Sequence, residues 1–253
     1  MVSSPWLAGI KPNRTARIRL FCFPYAGGTA QIYSSWAQQL PSSVDVCPVQ
    51  PPGRASRFYE SPFSNLLKLV EAAAESLNTY MDLPFAFFGH SLGALVSFEL
   101  ARFVRNQYAL SPSLLLVSAC RAPHLPYEGH CPYDLPDAEF LERIYRFNGT
   151  PKEVHENAEL MQLMVPLLRA DFAMDQTYHY SESEPLDCPI IAFGGQDDNI
   201  VSRESLEAWR EQTNTAFSAI LLPGNHFFIG TARDPLLNAI STSLVANFIL
   251  GVE

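Results

Sequence analysis

Phe85-Ala86-Phe87-Phe88-Gly89-His90-Ser91-Leu92-Gly93 is an apolar run that leads into G-x-S-x-G and then into a helical pattern. Four apolar residues of strand type precede Gly89, and Leu92, Leu95, Val96, Leu100 and Phe103 recur at helical spacing behind the serine. That order places Ser91 on a sharp strand-to-helix turn, where its hydroxyl stands exposed at the end of a sheet as a nucleophile. A Cβ at Gly89 or Gly93 would crowd the turn against a neighbouring strand or helix. Glu99, Arg102 and Asn106 mark the helix stripe expected to meet solvent. The bare pattern also occurs in turns with a purely structural serine, so partners elsewhere in the chain decide its meaning.

Outward from this stretch, short apolar runs alternate with longer helical patterns, the signature of parallel βα units. Strands are predicted at residues 18–23, 44–49, 85–88, 114–118, 189–193 and 217–222. Helices are predicted at residues 33–40, 65–80, 91–106, 203–212 and 235–249. Strands end in turn residues such as Pro24-Tyr25-Ala26-Gly27-Gly28, Pro51-Pro52-Gly53, Gly194-Gly195 and Pro223-Gly224-Asn225. Ligands bind at the carboxyl ends of strands in open α/β sheets, which is where these loops fall.

Residues 121–180 break the rhythm, with a proline-rich start and then helical patterns only. Asp137 is placed to cap a helix carrying Phe140, Leu141, Ile144 and Tyr145 that Gly149 would stop, and Thr150-Pro151-Lys152-Glu153 reads as a capping box. Leu160, Leu163, Met164, Leu167, Leu168 and Phe172 form an apolar stripe in which Pro166 is expected to introduce a kink. The 253 residues are thus expected to form one α/β domain, with residues 121–180 inserted as a cap over the strand ends. Met161 and Met164 suit an adaptable apolar pocket beneath it.

A serine hydroxyl needs a base, and the base needs an acid to orient it. After Ser91, the loop Gly194-Gly195-Gln196-Asp197-Asp198-Asn199 follows one predicted strand, and Pro223-Gly224-Asn225-His226-Phe227 follows another. The order Ser, Asp, His is that of the nucleophile-elbow hydrolases. His226 is the expected base. Asp198 fits the G-x-x-D-x-x-V spacing from Gly195 to Val201, with Asp197 as the alternative acid. His90 is expected to be a local structural group, and His124, His130, His155 and His179 surface or cap residues. The oxyanion hole is expected from the backbone N–H groups of Leu92 and of Ala26 in the glycine-rich loop. Tyr25 and Phe227, beside these loops, are expected to touch substrate.

Composition narrows the class. Hydrophobic residues make up 47% and charged residues 17%, enough for a large core, and the net charge of −9 argues against a nucleic-acid partner or an anionic membrane. No apolar run is long enough to span a bilayer, and residues 1–14 lack the pattern of a signal peptide. The five scattered cysteines form neither a disulfide framework nor a zinc motif, so a cytoplasmic location is expected.

Together these motifs resemble the external type II thioesterases of polyketide synthase and nonribosomal peptide synthetase systems. The likeness is carried by Phe21-Cys22-Phe23-Pro24-Tyr25-Ala26-Gly27-Gly28, Gln50-Pro51-Pro52-Gly53-Arg54, the elbow around Ser91, Arg121-Ala122-Pro123-His124, Leu168-Arg169-Ala170-Asp171-Phe172 with Tyr178 and Tyr180, and Asn225-His226-Phe227-Phe228. The family usually has aspartate where this chain has Asn225. The resemblance implies an α/β-hydrolase core with a mobile helical lid. It also implies hydrolysis of acyl groups from the phosphopantetheine arm of a carrier protein, clearing stalled or misprimed synthases, with small acyl thioesters also turned over. The chemistry calls for no metal or redox cofactor. Because carrier proteins tend to be acidic and this chain is too, a local basic patch is expected at the pocket mouth, with Arg54 and Arg57 as candidates. A carboxylesterase or acyltransferase with the same triad is the alternative, and a non-catalytic binding protein on this fold would be expected to lack a triad member.

Overall fold

The computed structural model of the chain describes residues 4–8, 13–127, 132–146 and 158–248. Six strands form one sheet: β1 (Ile18–Phe23), β2 (Val44–Pro48), β3 (Phe85–His90), β4 (Leu114–Ser118), β5 (Ile190–Gly195) and β6 (Phe217–Leu222). Their order is β2-β1-β3-β4-β5-β6 and every neighbouring pair is parallel. All but β6, an edge strand, are buried along their length, as sheets covered on both faces must be.

Side chains alternate between the two faces. Phe21, Phe23, Phe85, Phe87, Leu115 and Val117 join a core beneath helices α1 (Leu66–Leu77) and α2 (Leu92–Tyr108). Leu20, Cys22, Ala86, Phe88, Leu114, Leu116 and Phe193 join a second core with Tyr33, Trp36 and the C-terminal helix. The chain runs β1 to β2 on one side of β1 and returns to β3 on the other. The carboxyl ends of β1 and β3 therefore flank the point where the winding reverses, the place where such sheets open a crevice for ligands.

Several elements depart from the expected bounds. Residues 33–40 contain no α-helix: a 3₁₀ turn, Ala30–Tyr33, ends where the expected helix would start, and a second, Trp36–Gln38, lies within the range. The Tyr33 and Trp36 rings meet edge to face, 4.9 Å apart, and a segment this short is held by that packing rather than by helix propagation. Asn65 caps α1 by accepting from the Lys68 N–H, and a 3₁₀ turn, Asn78–Tyr80, follows the helix. α2 runs two residues further than predicted and ends at Ala109 in a left-handed conformation. The stripe expected to be its solvated face is partly buried: Glu99 and Arg102 pair with each other, and reach Tyr178 and Ser183.

Between β4 and β5 lie α3 (Asp137–Arg146) and α4 (Ala158–Gln176). Asp137 is the first residue of α3 rather than its cap, and its carboxylate pairs with Arg169. α4 runs through Pro166 as one helix. The readings at Gly149 and Thr150–Glu153 lie outside the described residues, as do His130 and His155. After β5 come α5 (Arg203–Glu207) with the 3₁₀ turn Ala208–Gln212, and after β6 come α6 (Phe228–Thr231) and α7 (Arg233–Phe248). Among the described residues, no helix is long and apolar enough to cross a membrane.

Candidate active site

Three loops at carboxyl ends of strands bring Ser91, Asp198 and His226 together. Ser91 stands between β3 and α2 at φ 53° and ψ −120°, a backbone conformation that L-residues adopt only under constraint. Its N–H donates to the Ser118 carbonyl at 2.7 Å, and its carbonyl accepts from Ala94 at 2.9 Å, which fixes the turn at both ends. The elbow is glycine at its two contact points because backbone crowds it. A Cβ on Gly89 would lie 2.0 Å from the Gly93 carbonyl oxygen, and one on Gly93 would lie 2.2 Å from that of Phe23.

The Asp198 Oδ2 lies 2.9 Å from His226 Nδ1, and His226 Nε2 lies 3.1 Å from Ser91 Oγ. A carboxylate only accepts, so Nδ1 carries the imidazole proton and Nε2 is left to accept from the serine hydroxyl. Asp198 Oδ1 takes the N–H groups of Ile200 and Val201 at 2.8 and 3.1 Å. Burial alone would raise the Asp198 pKa. The hydrogen bonds from His226 and from those two N–H groups outweigh it, so the carboxyl sits below its ordinary value and stays ionised. Asp197 is exposed and its N–H is bonded to the Gly224 carbonyl, so Asp198 is the aspartate that faces His226.

His90 is fully buried behind the site. Its Nε2 lies 2.9 Å from the His226 carbonyl oxygen and its Nδ1 lies 2.9 Å from Ser118 Oγ. A carbonyl only accepts, so Nε2 donates, and the neutral ring accepts the Ser118 hydroxyl at Nδ1. Burial, then the neighbouring His226, lowers the His90 pKa from 6.5 to about 3. The folded protein thus binds fewer protons here than the unfolded chain between these values, and stability falls as pH falls. The loss between pH 6.5 and 4.5 is about 2–3 kcal/mol. The urea midpoint of the wild type should therefore drop faster across that window than that of His90→Gln, which has no proton to gain. Parallel slopes would assign the acid sensitivity to other groups.

The two expected oxyanion donors flank the crevice between β1 and β3. Leu92 is the first residue of α2, where a backbone N–H has no acceptor within its helix. In the loop after β1, the Gly28 N–H donates to the Tyr25 carbonyl at 2.8 Å and the Gly27 N–H to Asp171 Oδ2 at 2.7 Å. The Ala26 N–H has no such acceptor among the described residues. It belongs to the same planar trans peptide as the Tyr25 carbonyl, and so points away from the turn that this carbonyl closes. Ala26 and Leu92 both line a cavity of about 340 Å³ together with Ser91 and His226.

Tyr25 and Phe227 line that cavity, their rings edge to face at 5.1 Å. Met161 and Met164 do not. Met161 is buried against Phe140, Ile144 and Leu168, and Met164 packs on the same small core between α3 and α4, so the helices' mutual contact claims them. The pocket wall from this insertion is instead Ile144, Leu168, Phe172 and Asp175, together with Arg121, Leu125, Pro126 and Tyr127 at its start. Asp175 is raised by burial and pairs with Arg121 at 3.3 Å. Cys120 also lines the cavity, but burial pushes its thiol up to about 12, which keeps it protonated and a poor nucleophile near neutral pH.

Arg54 and Arg57 form no basic patch. Arg54 is buried in a two-pronged ion pair with Asp171, and Arg57 is buried against the Trp6 ring, bonded to Glu60 and to the Gln50 carbonyl. His124 contacts Gln212 and Glu211, and His179 is exposed. The sequence reading missed the support His90 gives to the His226 backbone and the Arg54–Asp171 pair. One signal for the pair was available: Asp171 is an acid on an otherwise apolar helix stripe, beside Leu167, Leu168 and Phe172, and a buried acid requires a partner.

Known proteins resemble the chain along most of its length. A family model described as a thioesterase domain matches residues 18–244. The chain is 45% identical over 251 residues to "Linear gramicidin dehydrogenase LgrE" of Brevibacillus parabrevis, covering 98% of this chain and 95% of that protein. The solved structure of RedJ, a thioesterase from the prodiginine pathway of Streptomyces coelicolor, superposes with a TM-score of 0.87 at 38% identity over 96% of each chain. That of YbtT, the type II thioesterase of the yersiniabactin NRPS/PKS pathway, does so with a TM-score of 0.81 at 31% identity, over 96% of this chain and 97% of YbtT. The sheet with its serine elbow is thus an α/β-hydrolase fold, and the chain belongs to the thioesterase family.

Proposed function

We propose that the protein hydrolyses acyl groups from the phosphopantetheine arm of carrier proteins, clearing stalled or misprimed polyketide and nonribosomal peptide synthases, with Ser91 as nucleophile. The observation that carries this reading is the unbroken Asp198–His226–Ser91 line of hydrogen bonds, opening on a cavity bordered by the Ala26 and Leu92 N–H groups. Ser91 Oγ bonds to the thioester carbonyl carbon as its proton passes to His226 Nε2. The carbonyl oxygen becomes an oxyanion held by the two N–H groups. Collapse breaks the C–S bond, and the proton on His226 goes to the departing thiolate. Water then gives a proton to His226 and attacks the acyl-enzyme. A second collapse releases the acid, and Ser91 Oγ recovers its proton.

YbtT and RedJ favour a carrier-bound substrate, since each serves a biosynthetic pathway and YbtT is a type II thioesterase. LgrE bears a dehydrogenase's name, but the loop after β1 here reads Pro24-Tyr25-Ala26-Gly27-Gly28, and the chain has no G-x-G-x-x-G to seat a dinucleotide. A cytoplasmic location suits the four described cysteines, which are all free and buried.

The test compares initial rates on an acyl-carrier protein, the same acyl group on coenzyme A, and the corresponding p-nitrophenyl ester, with Ser91→Ala as the blank. Carrier-bound acyl is expected to give a kcat/KM about tenfold or more above the other two, with turnover lost in the variant. Ester turnover with little carrier activity would make the protein a carboxylesterase. Undiminished rates in Ser91→Ala would overturn the mechanism.

A further inference from the structure

Asp171 lies in the middle of α4, in the insertion, with its side chain fully buried. It accepts at both oxygens from Arg54, Nη1 to Oδ2 and Nη2 to Oδ1, each at 2.8 Å. Its Oδ2 also accepts the Gly27 N–H at 2.7 Å. Arg54 in turn reaches the Gly28 carbonyl with Nη1 at 3.3 Å and the Pro52 carbonyl with Nε at 3.2 Å. The pair therefore grips the Gly27-Gly28 segment at a donor and at an acceptor. That segment closes the turn on the Tyr25 carbonyl, the peptide whose opposite edge is the Ala26 N–H. Leu168, one helical turn before Asp171, presses on the same loop: a Cβ on Gly27 would lie 2.7 Å from its Cδ2.

We propose that Asp171 and Arg54 are positioning residues for the oxyanion hole, and that they make its assembly depend on the seating of α4. This rests on the reading of Ser91 as nucleophile with the Ala26 N–H as one oxyanion donor. With α4 in place, a charged acceptor holds Gly27 and the Ala26 N–H is aimed into the cavity. When α4 lifts, the carboxylate leaves, and the loop loses the bond that orients it. Arg54 supplies the positive charge that allows a carboxylate to sit in this buried position. The insertion thereby acts on catalysis through the backbone of the β1 loop, in addition to walling the pocket.

Removing Asp171 alone strands a buried guanidinium and endangers the fold, so the informative protein is the double variant Arg54→Met/Asp171→Leu, which removes both charges together. It is assayed with p-nitrophenyl acetate, whose hydrolysis requires the serine and the oxyanion hole whichever acyl carrier is natural, alongside wild type and Ser91→Ala. Removing one oxyanion donor outright lowers kcat by 10²–10³ in other hydrolases, so a loosened donor should lower it about 30-fold or more. KM should stay within threefold, and the inhibition constant of phenylboronic acid, whose serine adduct places an oxygen in the hole, should rise by a comparable factor. A cooperatively melting double variant with wild-type kcat would overturn the inference, as would a loss confined to KM. Full activity in Ser91→Ala would overturn the nucleophile reading beneath it, whereas an inactive Ser91→Ala beside a fully active double variant would overturn the positioning role alone.

Discussion

Replacing Asp198 by asparagine should lower kcat on the preferred thioester by about 10³–10⁴-fold while leaving the fold intact. The Asp198 side chain is fully buried, and its two oxygens serve different partners. Oδ1 accepts from the Ile200 and Val201 N–H groups and shapes the loop, while Oδ2 accepts from His226 Nδ1. Asparagine keeps its carbonyl for the two backbone donors and presents an NH₂ group to the imidazole. His226 must then turn Nδ1 into an acceptor, which moves its proton to Nε2, the nitrogen that faces Ser91 Oγ at 3.1 Å. A base that already holds the proton cannot take the serine's. The imidazolium formed in the reaction also loses its compensating charge. Steady-state kinetics with a thermal melt would check both halves. A melt close to wild type with kcat down by less than tenfold would show that the aspartate does little for His226.

Gly93→Ala is expected to prevent the native elbow from forming, with a stability loss of about 3 kcal/mol or more. The added methyl would lie 2.2 Å from the Phe23 carbonyl oxygen and 2.7 Å from that of Pro24, both backbone atoms that no rotamer change can move. The strain would be relieved only by parting the end of β1 from the start of α2. Those two pieces of chain carry Ala26 and Leu92, so any folded remnant would have a widened oxyanion hole and little activity. Gly230→Ala is the matched control. It has no atom within 4 Å of the added Cβ, and its urea midpoint should stay near that of the wild type. Equal midpoints for the two variants would refute the steric account.

The strands could be read from sequence because a parallel sheet covered on both faces leaves little polar alternation, and runs such as Phe85-Ala86-Phe87-Phe88 stand out. The loops at their ends could be read because turn chemistry is local. What failed was non-local. Tyr33, Trp36 and Leu40 have helical spacing, yet 3₁₀ turns also bring residues three apart together, and periodicity alone does not separate the two. Arg54 and Arg57 looked like surface charges because their partners are remote. Asp171 lies 117 residues from Arg54, and the Trp6 ring covers Arg57. Met161 and Met164 suit an adaptable pocket by their flexible side chains, but α4 is apolar on more than one side. Only the presence of α3 decides which side faces the serine.

The division between sheet and insertion bears on which exchanges reach the chemistry. In the proposed mechanism the reactive groups come from the ends of β1, β3, β5 and β6, whereas Ile144, Leu168 and Phe172 of the cavity wall come from the segment between β4 and β5. Exchanges at Ile144 or Phe172 would alter the cavity wall at positions that contribute no group to the Ser91–His226–Asp198 line. Asp171, on the same helix as Leu168 and Phe172, answers instead to the β1 loop. A chimera that imports another relative's insertion should therefore retain turnover when it brings an acid at this position, and lose it when it does not.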